Sequence, residues 1–177
     1  MSKIMFVPIM DYFKSRKRIW LKMLFPFSIG AVSLIVALLF DFGNTDKINN
    51  IFTEFINVQI NIVAILISFS VAIITILVSA DNKNIEKLKD TPSTDCKPVN
   101  NQRLSLFQVL LSNIAYNAIV GIVYLILLIA ISLMKSIIAI EGLKYIIAIC
   151  IFVILHILFV LLESVSQMYL TFWNKKE

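Results

Sequence analysis

Four stretches of this chain, residues 23–40, 62–78, 118–134 and 145–162, contain no Asp, Glu, Lys or Arg and are dominated by Ile, Leu, Val, Phe and Ala. Each runs for 17 or 18 residues. A helix of roughly 20 apolar residues crosses the bilayer's hydrocarbon core, which is about 30 Å thick. Hydrocarbon offers no partner to a backbone amide, so such a run satisfies its N–H and C=O groups within its own helix. Extended by their less apolar flanks, the four runs predict spans at about 21–41, 55–80, 108–134 and 143–167. The expectation is an all-α integral membrane protein, one four-helix domain over 1–177. The longest polar stretch, 81–103, has 23 residues and leaves no room for a soluble domain. Composition agrees: 59% of residues are hydrophobic and 15% charged, against about 45–50% and about 25% in soluble domains.

The basic residues orient the spans. Thirteen of the sixteen Lys and Arg fall in the N-terminal segment, in the middle loop or in the tail, and only Lys47, Lys135 and Lys144 fall in the other two loops. By the positive-inside rule both termini and the loop 87–103 are cytoplasmic. Helices two to four are then expected to extend into the cytoplasm, the second as one long helix from Asn50 to Glu86. Thirteen basic against six acidic residues leave that face near +7, which suits anionic lipid headgroups or another anionic ligand. Its surface is expected to include Arg16, Lys17, Arg18, Lys83, Lys87, Lys89 and Arg103. Residues 1–19 read as a basic segment, in part an interfacial helix on the inner leaflet with Trp20 at headgroup depth. The first apolar run is followed by Asp41-Phe42-Gly43-Asn44 rather than a small-x-small site, so a cleaved signal is not expected. The localisation predicted is the bacterial inner, or plasma, membrane, multi-pass.

Polar residues inside the spans carry the functional question. Stepping three or four residues at a time from Asn50 gives Glu54, Asn57, Asn61, Ala64, Ser68, Ala72, Thr75 and Ser79, then Asn82 and Glu86, all on one face of a helix. The rest of the turn is Ile, Leu, Val and Phe. A lipid-embedded helix has a polar face only where it meets protein or water. The stripe therefore packs inside the subunit or lines a water path around an oligomer axis. In the second case it puts acids at both mouths and hydroxyls in the middle, as in a cation pathway. Asn113 and Asn117 on the third helix, and His156, Glu163 and Gln167 on the fourth, are expected to cross-link helices. Glu163, the one carboxylate inside a span, is open to an ion or proton role instead.

Other chemistry is excluded by absence. There is no HExxH, CxxC, GxSxG or P-loop spacing, and Cys96 and Cys150 have no partner motif. His156 and Glu163 stand seven residues apart, about 10.5 Å along the axis, too far for direct proton exchange. Neither an enzyme nor a cofactor nor a metal site is expected. The basic segment Phe13-Lys14-Ser15-Arg16-Lys17-Arg18, the four spans and the polar run Asp81-Asn82-Lys83-Asn84-Ile85-Glu86-Lys87-Leu88-Lys89 together resemble the small four-span membrane proteins of bacterial anti-phage systems of the Kiwa membrane-subunit or Hailong channel-effector type. That resemblance implies a homo-oligomer of the inner membrane that conducts ions or docks a cytosolic partner. The sequence thus leads to a homo-oligomeric channel or pore-forming effector, with a membrane anchor or sensor for a cytosolic protein or anionic ligand as the alternative.

Overall fold

In a computed structural model, residues 7–39, 45–79, 83–93, 96–98 and 103–173 are described. They form α1 (Val7–Ser15), α2 (Ile19–Leu39), α3 (Thr45–Ser79), α4 (Lys83–Asp90), α5 (Leu106–Met134) and α6 (Ile140–Trp173). Four of these, within α2, α3, α5 and α6, are long and apolar enough to cross a membrane. At 1.5 Å per residue the 35 residues of α3 run about 52 Å. The expected continuous helix from Asn50 to Glu86 is described as two pieces, α3 and α4; residues 80–82, including Asn82 of the stripe, lie outside the described residues.

Helices α3, α5 and α6 pack on one another, and α2 packs on α6. The main core holds Phe52, Ile56 and Val63 of α3 against Tyr124 and Leu128 of α5 and Leu143, Cys150, Ile154 and Ile157 of α6. With lipid tails as apolar as leucine, membrane helices gain most from close backbone approach. Two glycines provide it. A Cβ on Gly121 would come within 2.9 Å of Ile67 of α3, and one on Gly30 within 3.1 Å of the Phe152 Cβ of α6. Around Gly30 the α2–α6 seam is aromatic, with Phe25 against Phe159 and Phe27 against Phe152, ring centres 4.7 and 6.3 Å apart.

The short helices close one end of the bundle. α4 turns Ile85 and Leu88 onto Leu110 and Ile114 of α5, beside Leu77 of α3. It is thus a packed amphipathic turn rather than a free extension into water. Ser105 caps α5 in a reciprocal box: its Oγ accepts from the Gln108 amide at 3.2 Å, and its own amide donates to Gln108 Oε1 at 3.0 Å. α1 docks on α5 and buries Tyr12 and Ser15. That differs from the expected helix lying on the leaflet. Its other face, Val7, Met10 and Phe13, is exposed. An elbow at 16–18, with Arg18 in the left-handed region at φ 54°, reverses the chain into α2.

Candidate functional site

Two polar arrangements stand out, one outside the bundle and one within it. The outer one is the α3 stripe. At 100° per residue the buried residues of α3, Phe52, Ile56, Gln59, Val63, Ser70 and Leu77, fall within about 60° of each other. Glu54, Asn57, Asn61, Ala64, Ser68, Ala72, Thr75 and Ser79 are centred roughly 150° further round the helix, and every one is exposed. The stripe therefore takes no part in packing within the subunit. Glu86, also exposed, sits on α4. The hydroxyls of Ser68, Thr75 and Ser79 donate to the carbonyls of Ala64, Val71 and Thr75 on their own helix, at 2.9, 3.0 and 2.6 Å. Spending the proton this way leaves oxygen lone pairs as the outward groups of the face.

The inner arrangement joins α1, α2, α5 and α6. Arg16, expected on the basic surface, is buried. Its Nη1 donates to Glu163 Oε1 at 2.8 Å and its Nη2 to Asn113 Oδ1. Lys22 Nζ donates to the same carboxylate oxygen at 2.5 Å, and Gln167, one turn along α6, at 3.1 Å. Asn113 in turn donates to Ser164 Oγ at 3.2 Å. A buried guanidinium demands this much, because leaving it unpaired costs several kcal/mol. Glu163 is thus a counter-ion to two cations.

One turn deeper, Tyr12 stacks on Tyr116 with ring centres 4.1 Å apart, and Tyr116 shares a 2.8 Å hydrogen bond with His156 Nε2. Asn117 Nδ2 donates to the Ile157 carbonyl at 3.1 Å. Burial pushes the Tyr12 phenol up to about 12, aided by the Glu163 charge and opposed by Arg16, so it stays protonated. His156 bonds to Tyr116 while Glu163 bonds to Arg16 and Lys22, so the two side chains serve separate networks.

Lys17, Arg18, Lys83, Lys89 and Arg103 are exposed and Lys87 is half-buried. Lys89 lies over the Phe107 ring at 5.5 Å. Sequence reasoning missed the pairing of Arg16 and Lys22 with Glu163, and the Tyr12–Tyr116–His156 stack. A signal for the first was present: a carboxylate near the end of a span needs a cation, and residues 14–22 hold the densest basic cluster at that end. Tyr12 carried no signal. Among the described residues no group of three or more His, Cys, Asp or Glu side chains could hold a metal. Compared with known protein families, characterised proteins and solved structures, the chain matches none.

Proposed function

We propose that the chain is a homo-oligomeric ion channel or pore-forming effector of the bacterial inner membrane, with α3 of each copy facing the axis. The termini and the α4–α5 loop face the cytoplasm. One observation supports this reading above others: the full-length polar stripe of α3 is exposed, directed away from the subunit's own core. Buried polar side chains such as Arg16, Asn113, Asn117 and His156 are engaged inside the bundle, so the stripe is not surplus from a generally polar interior.

Several copies around a closed symmetry axis convert such a face into a water path. In this arrangement Glu54 stands at the outer mouth, Ser68, Ala72 and Thr75 at the constriction, and Glu86 at the inner mouth. Hydroxyl oxygens with spent protons offer acceptors, and the acidic mouths concentrate cations, so the path is cation-selective. Defence against phage, where membrane depolarisation stops an infected cell, is the biological setting we propose for it.

A second reading is a membrane anchor that presents Lys83, Lys87 and Lys89 to a cytosolic protein. It draws on the packing of α4, which fixes the orientation of that basic turn through Ile85 and Leu88. One experiment separates the two. Ser68→Leu replaces a stripe hydroxyl with a larger apolar side chain at a site that touches no other helix core. Ion flux in proteoliposomes should fall at least tenfold while insertion and oligomer size stay unchanged. Undiminished flux, or none in the parent protein, removes the channel and leaves the docking surface.

A further inference from the structure

Beside the buried ion pair lies a cavity of about 280 Å³, bounded by α1, α2 and α6. Tyr12, Lys22, His156, Glu163 and Ser166 supply its polar wall, and Leu21, Phe25, Phe159 and Leu162 are among its apolar residues. Leu21, Phe25, Phe159 and Leu162 are also exposed on the outer surface of the bundle, so the cavity is continuous with the face that meets acyl chains. We propose that it is a binding site for an anionic glycerophospholipid of the inner leaflet, whose phosphate sits against Lys22 and whose acyl chains lie along the apolar α2 and α6 residues.

Three observations carry this. The first is charge. Arg16 and Lys22 share one carboxylate, which leaves the cluster at +1. Glu163 Oε1 already accepts from Arg16, Lys22 and Gln167, so its negative charge is largely satisfied. A Lys ammonium has three donors; Lys22 spends one on Glu163, and its side chain is still 30% exposed. The second is the Tyr12 hydroxyl. Tyr12 is 1% exposed, and among the described residues its hydroxyl has no hydrogen-bond partner. A buried donor without a partner is unfavourable; Tyr12 lines the cavity, and a small turn of its ring would bring the hydroxyl to a phosphate oxygen seated against Lys22. The third is shape. A soluble phosphate would have no use for the four apolar residues, whereas a lipid covers them with its chains. A zwitterionic headgroup would add a second positive charge to a site already at +1. The reading takes the chain as membrane-spanning but is independent of the channel, since no residue of α3 lines the cavity.

The test uses the full-length protein in detergent micelles, with lipid retention read by native mass spectrometry and thermal unfolding followed in parallel. Phosphatidylglycerol should be retained and should raise the unfolding temperature. Phosphatidylcholine should do so much more weakly, and sn-glycerol 3-phosphate without acyl chains should do neither. Lys22→Gln keeps the Arg16–Glu163 pair and should weaken phosphatidylglycerol about fivefold; Lys83→Gln, a basic residue on α4, should leave it unchanged. Tyr12→Phe keeps the ring stack. It should weaken the lipid about tenfold, while leaving lipid-free stability the same or higher because an unpaired hydroxyl has gone. Equal retention of both lipids, an equal response to glycerol phosphate, an equal loss from Lys83→Gln, or unchanged binding in Lys22→Gln and Tyr12→Phe would each overturn the assignment.

Discussion

Arg16 has almost no contact with solvent and depends on one carboxylate for its charge balance. Glu163→Gln keeps the shape and removes the charge. It should destabilise the folded chain by about 3 kcal/mol, the cost of stranding a buried guanidinium, measured as a loss of thermal stability in detergent. Adding Arg16→Gln should restore part of that loss, since two neutral amides bury more cheaply than one unpaired charge. Strict additivity of the two losses would mean that the pair does not act as a unit. Most of the partners in this cluster were visible in the sequence as types rather than as contacts. Asn113, Asn117, His156 and Glu163 read as bundle-facing because polar side chains in a span avoid lipid. Arg16 read as surface because its neighbours Lys14, Lys17 and Arg18 are surface residues, and a basic run gives no periodicity to mark the one member that turns inward.

The four long apolar helices were legible to within a few residues at most ends, since apolar length against bilayer thickness is a strong constraint. The packing of α4 on α5 and the docking of α1 were not. Both depend on which face of a short helix finds a neighbour, and a turn or two of sequence holds too few residues to say. Gly121 shows what sets the spacing of the long helices. Gly121→Leu places new atoms where Ile67 already stands and should cost about 1–3 kcal/mol by overpacking, again as lowered thermal stability. Combining it with Ile67→Ala should recover most of the loss if α3–α5 contact is the cause. No recovery would mean that the glycine serves the backbone of α5 instead. Gly30, against the Phe152 Cβ and the Ala148 carbonyl, is the corresponding point on α2, whose buried residues are Pro26 and Gly30.

At the level of the assembled bundle, the two outward faces of α3 make opposite demands. Phe69 is 49% exposed and lies about 60–140° round the helix from every residue of the stripe, on a surface suited to lipid. Ala72 is on the stripe. An Asp at the centre of a lipid-facing span costs about 2.5–3.5 kcal/mol. Phe69→Asp should therefore sharply reduce the amount of protein found in membranes, whereas Ala72→Asp should be inserted at near-parental levels if the stripe faces water in the proposed oligomer. Equal depletion by both would place the stripe in lipid and remove the water path.

The tie at the closed end also has a temporal meaning. The Ser15 carbonyl accepts from the Lys97 amide at 2.7 Å, and Arg16 Nη1 reaches Glu163, 147 residues later. At about 5–20 residues per second during synthesis, Arg16 waits roughly 7–30 seconds for its counter-ion. Its docking cannot be completed before α6 has been made. A nascent chain interrupted before α6 has no Glu163 to offer, so the guanidinium of Arg16 is left without that counter-ion.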